Sequence, residues 1–195
     1  MRIVGLDLSL TSTGIAIVDD GALTGLHNVK TSKRSARGQK DTWEQRQDRI
    51  YEAANTICVT LPRLAPDDVL DNPDIAVVEA PSYGSSGGAA HDRSGLWWIV
   101  VNALMNDGVK VAMVSPKGRA KFGTGNGNSD KPTVQAHVME RYADLAPRRI
   151  KNDDECDAIL LADMGATYYG CPLVPAGLPQ ANLDALGGVL WPAML

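Results

Sequence analysis

RIVGLDLSLTSTGIAIV, residues 2–18, decides the fold. Residues 2–8 are apolar and β-branched and run into a polar stretch, the pattern of a buried strand. Residues 13–18 repeat it after a short turn, and 22–29 form a third strand beyond Asp19-Asp20-Gly21. Connections this short leave room only for antiparallel neighbours, so the chain opens as a β-meander. Asp7 breaks the apolar pattern of the first strand. A carboxylate there is costly unless it is paired, protonated or bound to a metal. A turn cap at the strand end is the alternative at this stage.

Beyond the meander, residues 31–40 read as a polar, basic loop. Trp43, Ile50, Ala54, Ile57 and Leu61 recur at helical spacing, which predicts a helix over 41–61 closed by Pro62 and Pro66. Residues 74–80 form a buried strand ended by Pro81, and the Gly- and Ser-rich stretch 82–90 leads into a largely apolar helix over 93–106. A strand at 109–115 precedes a Gly- and Asn-rich loop, 116–130. A helix starts near Lys131, capped by Ser129 or Asp130 with Pro132 in its first turn, and runs to about Leu145. The last clear helix spans about 153–168. Helix-linked strands pair in parallel, so the expected architecture is α/β: a five-stranded mixed sheet, three antiparallel strands then two parallel, flanked by helices. Residues 1–170 form the expected domain and 171–195 an irregular C-terminal tail.

The 195 residues are 44% hydrophobic and 22% charged, an ordinary globular composition. No apolar run approaches the roughly 18 residues of a membrane span, and Asp7 interrupts what would be a signal peptide's apolar core. The expectation is a cytoplasmic protein of a bacterium or a phage-infected host. Cys58, Cys156 and Cys171 lack zinc-ligand spacing and read as reduced thiols. A net charge of -4 argues weakly against nucleic acid, but the distribution matters more than the total. Residues 30–49 carry Lys30, Lys33, Arg34, Arg37, Lys40, Arg46 and Arg49. A second basic run holds Lys110, Lys117, Arg119, Lys121 and Lys131. Such a chain can present a basic face around an acidic pocket.

The acids supply that pocket. Glu79 ends the apolar run Ile75-Ala76-Val77-Val78 as Asp7 ends its own strand. On parallel neighbouring strands the two would emerge at the same sheet edge, where open α/β sheets place their ligands. Asp154 and Asp157 are three apart and share one helical face near a helix N-terminus, where negative charge is tolerated. Asp153 and Glu155 point elsewhere and are expected to be solvated or capping. Clustered carboxylate oxygens suit Mg²⁺ or Mn²⁺, and two such ions about 4 Å apart can hold both the attacking and the leaving oxygen of a phosphodiester.

Gly5-Leu6-Asp7-Leu8-Ser9 with Thr13-Gly14-Ile15-Ala16, then Val77-Val78-Glu79, then Asp154-x-x-Asp157-Ala158 resemble, in order, the motifs of the RuvC family of Holliday junction resolvases. Ser115-Pro116 followed by Gly125-Asn126-Gly127-Asn128-Ser129-Asp130-Lys131 is similar to that family's Gly-rich loop, and the match spans about residues 1–170. The resemblance implies an RNase H-like fold with the first strand central and the fourth beside it. It also implies a homodimer that nicks four-way junctions with two Mg²⁺ per site (Mn²⁺ substituting), leaving 5′-phosphate and 3′-hydroxyl ends. Asp7, Glu79, Asp154 and Asp157 would bind the metals, and Lys131 would act at the scissile phosphate. Lys121 lies one residue off the position of a further family lysine, and Tyr83 one residue off a junction-holding aromatic. Lys33, Arg34, Arg37, Lys117 and Arg119 complete the expected DNA contacts. The helix with Trp97 and Trp98 corresponds to the dimerising region, a buried core helix being the other reading.

Three other readings compete. Asp7-Leu8-Ser9-Leu10-Thr11-x-x-Gly14 resembles the phosphate loop of actin-like kinases and ATPases, but that class needs a second lobe and a longer chain. A related nuclease acting on flaps, forks or RNA–DNA hybrids carries the same acids. A catalytically silent junction-binding protein would have no use for the complete set.

Overall fold

Strands β1 (Arg2–Asp7), β2 (Ser12–Asp19) and β3 (Ala22–Lys30) form the meander that the opening sequence predicts. The computed structural model describes residues 1–31, 39–63, 72–81, 90–175 and 177–193. Helix α1 (Trp43–Arg63) leads to β4 (Ile75–Glu79), α2 (Ala90–Asn106), β5 (Lys110–Val114), α3 (Pro116–Thr124), α4 (Lys131–Tyr142) and α5 (Asp153–Tyr168). The sheet order is β3-β2-β1-β4-β5, with β4 and β5 parallel to β1. The first strand is central and the fourth lies beside it, the mixed five-stranded order of an RNase H-like fold.

β1 and β4 read as unbroken apolar runs because both faces of the sheet are covered. Ile3, Ile75 and Val77 pack with α4 and α5 on one side. Val4, Leu6, Ala76 and Val78 pack with α1 and α2 on the other. Each such side chain contributes about 1.5–3 kcal/mol when fully buried, so neither face tolerates polar residues along its length. Alternation then fixes where the acids go. Ile3, Gly5 and Asp7 share the α5 face of β1, as Ile75, Val77 and Glu79 share that of β4.

The structure departs from the sequence expectations in four places. α1 continues two residues past its predicted end at Leu61 rather than closing at Pro62. The predicted loop 116–130 contains α3, whose Ser115 N-cap accepts a hydrogen bond from Gly118 N at 3.0 Å and whose Gly125 closes it at φ 83°. Gly118 and Gly123 lower its intrinsic propensity, and the two caps with Pro116 in the first turn hold it. Glu155 is buried instead of solvated, paired with Arg148 at 2.8 Å and accepting from Lys151 N at 2.7 Å. Beyond Cys171, a short helix, α6 (Gln180–Leu183), and a 3-10 turn at Leu186–Gly188 fold back on the domain. There Asn182 donates to Phe122 O of α3 at 2.7 Å, and Trp191 stacks on Tyr168 at 4.6 Å.

Candidate active site at the ends of β1 and β4

The acidic site begins with how closely α5 approaches the sheet. A Cβ on Gly5 would collide with the Ala158 carbonyl, and one on Gly14 with that of Asp154. These two glycines let the first turns of α5 lie directly on β1 and β2. Asp7 pairs with Gly14 in the sheet, so the helix start comes down beside it. Asn152 caps α5 by accepting from Glu155 N at 3.0 Å, which sets where the helix begins and places Asp154 and Asp157 in its first turns.

From the other side, Trp97 of α2 fixes the end of β4. Its indole is buried and donates to the Glu79 carbonyl at 2.9 Å. Ala80 N continues the register by donating to Val114 O at 2.8 Å. Glu79 is thus held on the α5 face next to Asp7.

The carboxylates are joined by a guanidinium. Arg119 of α3 is buried, its Nε donating to Glu79 and its Nη1 to Asp157. Asp154 accepts from Ser12 Oγ at the β2 rim. Burial pushes the Asp7 carboxyl well above its usual range, and the charges of Glu79, Asp157 and Asp154 raise it further against the opposing pull of Arg119. Asp157 is pushed up to about 7, chiefly by burial, with Glu79 adding to the rise and Arg119 opposing it. One guanidinium therefore serves a crowded group of acids whose charges repel one another.

Lys131 extends from the start of α4 to Asp153 at 2.9 Å and is 73% exposed. The ion pair raises its pKa, so it stays cationic at the rim. A cleft of about 170 Å³ lies alongside, lined by Lys117, Arg119, Gly127, Lys131, Asp153 and Asp157. Of the expected DNA contacts, Lys117 is exposed at this cleft, while Arg119 is turned inward to the acids. Lys121 is half-buried, and two residues along a helix carry it away from the Arg119 face. Lys33, Arg34, Arg37 and Tyr83 lie outside the described residues. Within the basic run 30–49, Arg46 and Arg49 are tied to buried Asp92 at 2.5 and 3.9 Å, joining α1 to α2. α2 divides its aromatics: Trp97 is buried and Trp98 is 64% exposed, with Met105 two turns along also exposed.

Sequence reasoning placed Arg119 on a DNA-facing loop and did not anticipate its bridge between two acids. Ser115-Pro116 ahead of it and Gly125 behind it were the signals of the helix that aims it inward. Nothing in the sequence marked Ser12 or Trp97 as partners of the site.

A divalent cation suits this donor set. The ligands are all carboxylate oxygens, the preference of hard cations, and a positive charge already stands between Glu79 and Asp157 in the form of Arg119. Among the described residues, no three acidic, histidine or cysteine side chains are already arranged around a common metal position, and Arg119 pairs with two of the four acids.

No protein-family model matches the sequence, and neither does any curated protein. Solved structures do. RuvC of Thermus thermophilus superposes with a TM-score of 0.63 at 18% identity, over 88% of this chain and 98% of that one. The same enzyme in complex with a Holliday junction substrate gives 0.62 at 17% identity, over 88% and 97%. The Fowlpox virus resolvase bound to Holliday junction DNA gives 0.54 at 13% identity, over 87% and 97%. The fold is that of the RuvC-type resolvases.

Proposed function

We propose that this chain is a metal-dependent, structure-specific DNA endonuclease that nicks four-way junctions and leaves 5′-phosphate and 3′-hydroxyl ends. The observation that carries the reading is the convergence of Asp7, Glu79 and Asp157 on one face of a RuvC-type sheet, with Asp154 at the rim. Burying that many carboxylates together has a large electrostatic cost unless a multivalent cation joins them. Asp7, Glu79, Asp154 and Asp157 would hold two Mg²⁺ or Mn²⁺, which when bound neutralise charge on the attacking and leaving oxygens of a phosphodiester.

The chain's own residues divide the remaining work. Burial raises the proton affinity of Asp7 and Asp157, so holding a cation would be coupled to keeping both carboxylates ionised. Lys131 and Lys117 flank the cleft and bind a backbone phosphate, Lys131 beside the bond to be cut. Lys33, Arg34, Arg37 and Tyr83 extend the DNA contact on either side. Trp98 and Met105 form the apolar centre of a homodimer interface, which would set two active sites on one junction. Residues 1–170 form the nuclease unit, and Asn182 in the segment beyond it braces α3 through the Phe122 carbonyl. Both T. thermophilus RuvC and the Fowlpox virus resolvase are known in complex with Holliday junction DNA, which supports a branched substrate here.

The test is a cleavage panel in Mg²⁺ with four-way junction, flap, fork, duplex and RNA–DNA hybrid at matched concentration. The four-way junction is expected to be nicked fastest, with ligatable ends. Preference for another substrate would replace the junction reading, and no cleavage of any would overturn the nuclease.

A further inference from the structure

The cation in the acidic site is a side chain, and it occupies the oxygens that a metal would need. Arg119 Nε is directed at Glu79 Oε2 and its Nη1 at Asp157 Oδ1, while Asp7 adds its field without sharing a hydrogen bond with it. The guanidinium is buried, so water does little to screen these pairs. α3 is also firmly seated. Ser115 and Gly125 cap its two ends, and Asn182 of the C-terminal segment holds the Phe122 carbonyl. The helix backbone is thus anchored at several points, so a displacement of the guanidinium would have to come from rotation of the Arg119 side chain. Beside it lies the cleft that it helps to line together with Lys117 and Lys131.

We infer that Arg119 is a tethered counter-ion that competes with a divalent metal for Glu79 and Asp157, so that filling this half of the site requires its guanidinium to move out toward the cleft. The inference rests on the metal-dependent reading above. A carboxylate oxygen aimed at a guanidinium N–H cannot at the same time face a metal at bonding distance. The competition lowers the metal affinity of the free protein and keeps the acids neutralised when no metal is present. It also gives a phosphate in the cleft a means of favouring metal entry, by attracting Arg119 away from the acids.

The experiment is calorimetric titration of the full chain, without DNA, with Mn²⁺ and with Ca²⁺, comparing wild type with Arg119→Gln and Arg119→Lys. Arg119→Gln is expected to bind Mn²⁺ about tenfold more tightly or better, since a buried ion pair no longer has to be broken first. Arg119→Lys keeps the charge but loses the rigid guanidinium fork that spans the two carboxylates, and is expected to gain about threefold. If wild type binds and neither variant binds more tightly, the competition is overturned and the metal reading survives. If none of the three binds either ion, the metal reading falls and the inference with it. If Arg119→Gln does not fold, Arg119→Lys decides by the same comparison.

Discussion

Two of the carboxylates that helix α5 buries, Asp163 and Asp157, have surroundings that differ in kind. Asp163, near its middle, is fully enclosed and accepts from Tyr142 OH at 2.6 Å, Leu173 N at 2.9 Å and Thr167 Oγ1 at 3.3 Å. Every partner is a neutral donor: Thr167 lies one turn along α5, while Tyr142 comes from α4 and Leu173 from the chain beyond α5, so Asp163 fastens α4 and the C-terminal chain to α5. Asp157, under two turns earlier, has a single shared guanidinium, and its acidic neighbours Glu79 and Asp153 oppose its ionisation. A buried acid with a complete set of neutral donors is a fastening. A buried acid left among other acids has the strained surroundings expected of a functional carboxylate, the role proposed for Asp157.

Removing each acid should separate the two. Asp163→Ala leaves Tyr142 OH and Leu173 N without an acceptor in the core and is expected to cost about 3 kcal/mol in urea unfolding. Asp157→Asn removes a charge that burial disfavours, keeps an amide oxygen for Arg119 and leaves the guanidinium its pairing with Glu79, so it is expected to remain within about 1 kcal/mol of wild type in the metal-free protein. Equal losses in the two variants would erase the distinction.

The smaller expected effect is on pH dependence. The folded-state pKa of Asp157 lies near 7, above the roughly 3.9 of an unfolded aspartate, so the folded protein binds more protons across that window. Its contribution to stability is therefore complete below about pH 4 and is lost as the pH rises through about 7. Metal-free wild type should lose on the order of 2 kcal/mol more than Asp157→Asn between those limits. Asp163 is also raised by burial but is present in both proteins, so it cancels in the difference. Identical slopes would mean that Asp157 is not strained by its surroundings.

The residues that set the fold were legible because each carried a local pattern. The apolar runs of β1 and β4 each end on an acid, which put Asp7 and Glu79 at one sheet edge, and the three-residue spacing of Asp154 and Asp157 set them on one side of a helix start. Asp130 was recognisable as an N-cap for the same reason, and it accepts from Thr133 N at 3.0 Å. Features that depend on distant partners were not legible. Glu155 looked like a surface residue until Arg148 closed over it, and Arg119 looked like a loop cation until α3 turned it toward Glu79, forty residues away in sequence. Composition alone could not tell Trp97, which braces Glu79 from inside, from its exposed neighbour Trp98.

Asp7 tests the account most directly. It lies at the end of the central strand, and Arg119, the cation that opposes the rise of its pKa, is engaged by other acids. The decisive measurement is Mg²⁺-dependent nicking of a four-way junction by Asp7→Asn beside wild type, with junction binding measured in parallel. Cleavage is expected to fall by on the order of 10³-fold or more, because a ligand of the metal-organised site is lost. Binding should stay within about threefold, since phosphate contacts from basic residues dominate it. Cleavage by Asp7→Asn at the wild-type rate would contradict the assignment of this acidic cluster as the catalytic centre.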